Sequence, residues 1–459
     1  MFRRPCHVRT CWASHLITRN WPFGESWRSR GVCARFLAYD RRMPLARPTT
    51  AILLSLIALV PLSGCAGQQD EAPAAPVPKA GAGTAPQAPR LFLSASGSDA
   101  APCTQSRPCR SLQRGYERAR PGQEVELAAG SYPEQLIEAD PRKRGATRRV
   151  VFQPARGAAV SVERLALEPG AAHIEMRRLH FPDGWSAGSA EDGPPAVDIV
   201  MRDTSGRLFS IEHAHAVRVL GGSYGPSLDD TSQIKVTSPE AGGAPARILI
   251  QGVRMHDYTR SGSDIHTECL QVYAGTDITI RGNRFSNCDG TGGLALTTLS
   301  STRLRNVLVE NNWFDARGDA HFAVQADESV ERLVLRYNSS AKSMVFTDCT
   351  KDRCGSARVV ANVMPFGEGL CSSVATYSHN VLEGGACSKA DLAVARLGFA
   401  DERGFDLHLT AGSPAICRGD PREFPAWDID GDRRSRTRRP DAGADQVSSR
   451  PARRSCAVG

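Results

Sequence analysis

ITIRGNRF (278–285), VLVENNWF (307–314) and LVLRYNSS (333–340) superimpose on their asparagines, Asn283, Asn312 and Asn338. ARVVAN, ending at Asn362, and ATYSHN, ending at Asn380, continue the series at spacings of 29, 26, 24 and 18 residues. Five positions before each Asn stand Ile278, Val307, Leu333, Ala357 and Ala375; three before stand Ile280, Val309, Leu335, Val359 and Tyr377. An apolar residue at every second position is the period of a strand with one buried face. The same offsets recur upstream in Val217/Val219/Tyr224, Ile248/Ile250/Met255 and Ile174/Met176/Phe181, so at least eight repeats can be counted.

One such strand cannot bury its apolar face alone. Stacked copies can, as three parallel sheets around a shared core, one coil per repeat. The expected fold is all-β, a right-handed parallel β-helix solenoid. Asn suits the left-handed backbone of a tight turn, and its amide can bond the Asn of the next coil, so the series reads as turn chemistry. The first coil needs a plug. SLQRGYERA (111–119) sets Leu112, Tyr116 and Ala119 on one side of a short N-terminal capping helix.

Before the repeats, MPLARPTTAILLSLIALVPLSGC (43–65) joins Arg47 to an apolar run, 51–62, too short to span a bilayer, and ends Leu-Ser-Gly-Cys. This resembles the signal peptide and lipobox of bacterial lipoproteins, which implies export and lipidation at Cys65, hence a membrane partner reached through a lipid anchor. Residues 1–42 read as a non-native extension ahead of a start at Met43, residues 66–90 as an Ala/Pro/Gly-rich linker, 91–446 as the β-helix domain and 447–459 as a disordered tail. Of the 57 basic and 49 acidic residues, ten and two lie within residues 1–65, which leaves 47 of each afterwards. A neutral body lacks the basic footprint of a nucleic-acid binder, and none is expected as partner.

Ten cysteines follow Cys65, an even number that fits an oxidising compartment. Cys103–Cys109, Cys349–Cys354 and Cys371–Cys387 are plausible local closures, and Cys269–Cys288 can staple neighbouring coils. No Cys/His spacing supports a zinc site.

The opening LFLSASGSDAAPCTQSRPCRSLQRGYERARPGQEVELAAGSYPEQ (91–135) and the closing SPAICRGD (413–420) with DIDGDRRSRTRRPDAGADQ (428–446) resemble bacterial right-handed β-helix proteins of the pectate-lyase-like superfamily. The resemblance covers about residues 91–446. It implies the fold and leaves activity open, because that superfamily holds polysaccharide lyases, glycoside hydrolases, epimerases, esterases and proteins without known activity.

The most polar cluster is SDIHTECLQVYAG (263–275). If extended, it points Asp264, His266 and Glu268 to one side, beside Gln271. Later coils offer Asp289, then Asp319, His321 and Gln325. Neighbouring coils lie about 4.8 Å apart, so such patterns stack into a ladder able to supply an acid and a base. The catalytic candidates are His266, Glu268, Asp289, Asp319 and His321, with Asp264, Gln271 and Gln325 binding substrate; the competing reading is a hydrogen-bonded turn that braces the coil. A glycosidase would draw its two carboxylates from Glu268, Asp289 and Asp319. A lyase would need calcium or basic side chains, with Lys342, Lys351 and arginines such as Arg260, Arg281 and Arg336 as cations, but no pectate-lyase motif surrounds these arginines. Calcium is thus the one cofactor in play, and no metal ligands are assigned. DIDGD lacks the other ligands of a calcium loop and reads as a structural turn, and the arginines of 433–439 as a solvated edge.

The expected function is therefore that of a monomeric, extracytoplasmic, lipid-anchored protein acting on polysaccharide. The alternative is a non-catalytic polysaccharide-binding or cell-wall-binding surface protein that uses Trp185, Tyr224, Tyr258, Tyr273 and Trp313.

Overall fold

The computed structural model describes residues 89–447 and Cys456, apart from 190–192, 237–242, 263–266, 291, 299–300, 316, 319–320 and 350–352. The described residues all belong to the unit Ala82–Gly459. The alternating stretches are the strands of a first, 12-stranded sheet, running from Leu91–Leu93 to Ala375–Ser378. In each complete coil the chain passes to a second sheet of 13 strands and a third of nine, Gln135–Ile137 to Met344–Thr347, before returning. All pairings in these three sheets are parallel, which makes a parallel β-helix.

The register is the one the repeat implies. Ile278 pairs with Val307, Val307 with Leu333 and Leu333 with Ala357. On the second sheet Tyr224, Met255, Phe285 and Phe314 stand in line, and the rings of Phe285 and Phe314 stack 4.9 Å apart. One coil escaped the repeat count: Ile199 and Met201 occupy the apolar positions between Ile174/Met176 and Val217/Val219, with Gly206 where the others carry Phe181 or Tyr224.

The asparagines form a buried ladder. Asn312 Nδ2 donates to Ile280 O at 2.9 Å and to Asn338 Oδ1 at 3.0 Å, while its Oδ1 accepts from the backbone and side chain of Asn283 at 2.9 and 3.0 Å. At the far end Asp391 takes the next place, accepting from Asn380 Nδ2 at 2.8 Å. The left-handed residue of each turn, however, is not the ladder Asn but the one before it: Gly282 (φ 63), Asn311 (φ 60), Tyr337 (φ 53), Ala361 (φ 54) and His379 (φ 60). The reversal at that residue aims the next side chain inward, where only a group that both donates and accepts can satisfy the turn's backbone.

The helix Leu112–Arg118 covers the first coil as expected. Ser111 Oγ caps it by accepting from Arg114 N at 3.1 Å, and the Tyr116 hydroxyl donates to Ala172 O at 2.7 Å. Among the described residues no helix is long and apolar enough to cross a membrane.

Residues 397–447 fold back over the ladder corner. Leu397, Leu407, Ala415 and Ala442 join Trp313, Tyr337 and Val363 in a second apolar cluster. The arginines of 433–439 are not all a solvated edge: Arg434 is 1% exposed. It donates to Asp441 O (3.1 Å), Gly443 O (2.8 Å) and Asn311 Oδ1 (3.2 Å), and its guanidinium lies over the Tyr337 ring at 5.0 Å. DIDGD is the structural turn expected, since Asp428 accepts from the backbone N–H groups of Asp430, Asp432 and Gln446.

All four expected disulfides are present, and Cys417–Cys456 adds a fifth, tying the tail beyond residue 447 to the body.

Candidate functional site

The strands of the third sheet are short, and their flanking residues, such as Phe209/Ile211, Leu270/Val272 and Leu294/Leu296, fill the core. Their middle residues therefore face out, and the register sets Ser186, Ser210, Gln233, Gln271, Ala295 and Gln325 in one row across the coils. Gln271 and Gln325, both expected to bind substrate, thus lie on the same face two strands apart, about 9.6 Å.

Gln271 is the hub of this face. Its Oε1 accepts from Gln233 Nε2 at 3.1 Å and from the Tyr273 hydroxyl at 2.6 Å, and its Nε2 donates to Glu268. Burial, reinforced by the charge of Glu268, pushes the Tyr273 phenol up, so it stays a donor. One coil before Gln233, Ser210 Oγ donates to Glu212 Oε1 at 2.8 Å, and Lys235 Nζ stands 4.0 Å from the same oxygen. Gln233, Glu212, Lys235 and the part played by Tyr273 were not singled out from the sequence. The signal was a polar residue between two apolar ones, as in FSI (209–211) and LQV (270–272), which a three-residue strand repeats too briefly to stand out.

Glu268 is 2% exposed and lies in the turn before Leu270–Val272. Asp289 follows Arg284–Cys288 on the second sheet, and its Oδ2 accepts from Arg260 N at 3.2 Å. The Cys269–Cys288 bridge joins the chain neighbours of these two acids, so their backbones share one corner of the coils. Gly290 completes the corner. It is left-handed (φ +85), and a Cβ there would stand 3.0 Å from Thr267 N and 3.3 Å from Glu268 Oε1. His321 is exposed beside Phe322–Asp327, its ring 6.3 Å from that of Phe322. Asp264, His266 and Asp319, like Cys65, lie outside the described residues.

Four of the five aromatics considered for a binding stripe are interior. Trp185 Nε1 donates to the Tyr224 hydroxyl at 2.8 Å, Tyr258 shares a 2.7 Å hydrogen bond with Ser232, and Trp313 sits in the second apolar cluster. Large rings fill the coil interior, and only Tyr273 is placed on the third-sheet face. Two arginines weighed for lyase chemistry are also elsewhere: Arg281 and Arg336 both grip Glu310 on the first sheet. Lys342 Nζ donates to Gly318 O at 3.0 Å, and Lys351 is outside the described residues.

No family model and no curated protein matches the chain. Among solved structures it is similar to the complex of XylC with xylose (10% identity, TM-score 0.47, 78% of this chain and 98% of that one) and to the pectate lyase Pel9A (11%, 0.41, 77% and 95%). A third is the alginate lyase AlyGC of family PL6 (11%, 0.30, 70% and 55%). At these identities and scores the likeness carries nothing about chemistry.

Proposed function

We propose that this is an exported protein, held to a membrane by a lipid on Cys65, that acts on a polysaccharide laid across the outer face of its third sheet. The row Ser210, Gln233, Gln271 and Gln325 carries the reading. Its half-buried members Ser210, Gln233 and Gln325 offer donors and acceptors on that face, with Gln271, 6% exposed, bracing the network and Ala295 standing between Gln271 and Gln325, polar groups of the kind a hydroxyl-rich polymer requires. Export draws support from the signal-like segment 43–65 and from five disulfides, with 66–90 as tether and 91–446 as the working domain.

The chemistry we assign is hydrolysis by carboxylates. Glu268 and Asp289 are held at one corner, with Asp264, His266, Asp319 and His321 as the further acid and base candidates, whereas Arg281 and Arg336 are engaged on another sheet. The interior placement of Trp185, Tyr224, Tyr258 and Trp313 removes most of the aromatic surface on which a purely binding role would rest.

Incubation with neutral and acidic polysaccharides, with and without calcium, tests this. New reducing ends without the ultraviolet absorbance of an unsaturated product are expected, and Glu268→Gln and Asp289→Asn should abolish them. Absorbance would establish elimination instead, and polymer binding with neither signal would make the protein a binding module.

A further inference from the structure

The outer face of the first sheet carries a charge pattern that the third does not. Its strands turn Ile, Val and Leu inward, and the alternate positions hold arginines coil after coil. These arginines share too few acids. Arg177 and Arg202 contact the same oxygen of Glu175 at 2.8 and 3.0 Å, Arg149 and Arg218 share Asp198, and Arg281 has Glu310 (2.7 Å) in common with Arg336, which reaches Glu423 as well. Each guanidinium has five N–H donors and one full charge, so two on one carboxylate leave donors and a positive charge over. Where three of these arginines, Arg218, Arg247 and Arg281, stand against the two acids Asp198 and Asp277, the balance is locally cationic.

A groove of about 400 Å³ runs across Ala214–Leu220, Ala246–Gln251 and Gly275–Arg281. In these strands Ala216 (φ 57), Arg247 (φ 56) and Asp277 (φ 58) are left-handed, and the pairing skips from Ala246↔Thr276 to Ile248↔Ile278. One residue is skipped on each strand alike, so this is a left-handed kink repeated in register, which re-aims the side chains it carries. Leu249 lines the groove together with Arg218, Arg247 and Arg281, and Asp277 and Thr279 stand among them.

We propose that this groove is a docking surface for an acidic polysaccharide, separate from the third-sheet face. The sugar carboxylates would meet Arg218, Arg247 and Arg281, hydroxyls would meet Asp277 and Thr279, and ring C–H faces would lie on Leu249. Asp198 and Asp277 set acceptors among the cations, which suits hydroxyls and repels the closely spaced phosphates of a nucleic acid. A concave groove likewise fits a single chain better than it fits a flat lipid surface.

Calorimetric titration of the whole protein with polygalacturonate, alginate and neutral dextran, at low and raised salt, tests the proposal without requiring turnover, so it remains readable if no polymer is cleaved. The acidic polymers should bind, more weakly as salt rises, and dextran should not. Arg247 is exposed and makes no ion pair among the described residues, so Arg247→Ser tests the surface without disturbing a structural contact. It should weaken binding about threefold, and the combination with Arg218→Ser and Arg281→Ser about tenfold or more. Equal binding of dextran, affinity unchanged in both variants, or retention on anionic vesicles in place of the acidic polymers would overturn it.

Discussion

Cys269 and Cys288 stand on successive coils with their Cα atoms 5.4 Å apart, joined by a disulfide, and each is the chain neighbour of an acid, Glu268 and Asp289. The bridge links the second and third sheets at the edge of the polar face, so it serves the core and the candidate site together.

Replacing both cysteines by alanine should cost about 3 kcal/mol, the entropy of closing a loop of this size. The denaturant midpoint should fall accordingly, and any hydrolytic activity should fall further than stability does, because Glu268 and Asp289 lose their common clamp. An unchanged midpoint would mean that the stacked coils alone hold the corner.

Asn312→Ala should destabilise by about 2–4 kcal/mol, because it strands buried partners on both flanking coils: Ile280 O and the backbone N–H of Asn283 on one, Asn338 Oδ1 on the other. Asn311→Gly, at the left-handed position, should cost far less, since glycine is at ease there although Arg434 loses one acceptor. Urea titration of the two variants separates the ladder from the turn, and equal losses would refute the division of labour.

Removing Arg434 should free the C-terminal segment rather than the solenoid. Arg434→Ala leaves the carbonyls of Asp441 and Gly443 and the face of Tyr337 uncovered, a loss of about 3 kcal/mol by comparison with other buried charged networks. Limited proteolysis should then cut within 397–447 while the repeats stay protected, and a cut pattern like that of the parent protein would contradict this.

His408 should make that segment pH-dependent. Burial alone would lower its pKa, but hydrogen bonds to Asp406 and to Asp430 (2.7 Å) outweigh burial and hold it above the ordinary 6.5. A folded pKa above the unfolded one contributes stability that is complete below about pH 6.5 and is lost as pH rises through the folded value. The side chain is 45% exposed, so the loss will be shallow. Melting temperatures across that range should decline slightly in the parent protein and lose the His408 step in His408→Gln; identical profiles would exclude His408 as the source.

Gln271→Ala should lower turnover about tenfold or more, because Glu268, Tyr273 and Gln233 lose their common partner. Ala295→Ser, on the same row, should be tolerated. Steady-state kinetics on whichever polymer is cleaved decides it, and equal effects would remove Gln271 from the site.

Much of the fold was legible because a solenoid is nearly one-dimensional. The pairs Ile278/Ile280 and Val307/Val309 announce inward positions, and the spacing between ladder asparagines announces the coil. The coil at Ile199 and Met201 stayed hidden because Gly206 and Thr204 replace its aromatic and its Asn. The site was legible in part. Gln271 and Gln325 were both singled out from the sequence, but the register is what puts them in one row, and Gln233 and Glu212 lie in other coils and become their neighbours only through stacking.

The sequence by itself determined the repeat, the inward side of the first-sheet strands it counted and the capping helix, because each follows from local period, and short separation made four of the five disulfides candidate pairings without fixing them. Only the tertiary structure decided which residue of each turn bears the left-handed backbone, that Trp185, Tyr224 and Tyr258 face inward while Trp313 is covered by the C-terminal segment, that Arg434 is buried against Tyr337, and which outward residues meet across coils. Those outcomes depend on register between segments some 20–30 residues apart and on a C-terminal segment that folds back over a hundred residues of chain. No local pattern carries that information.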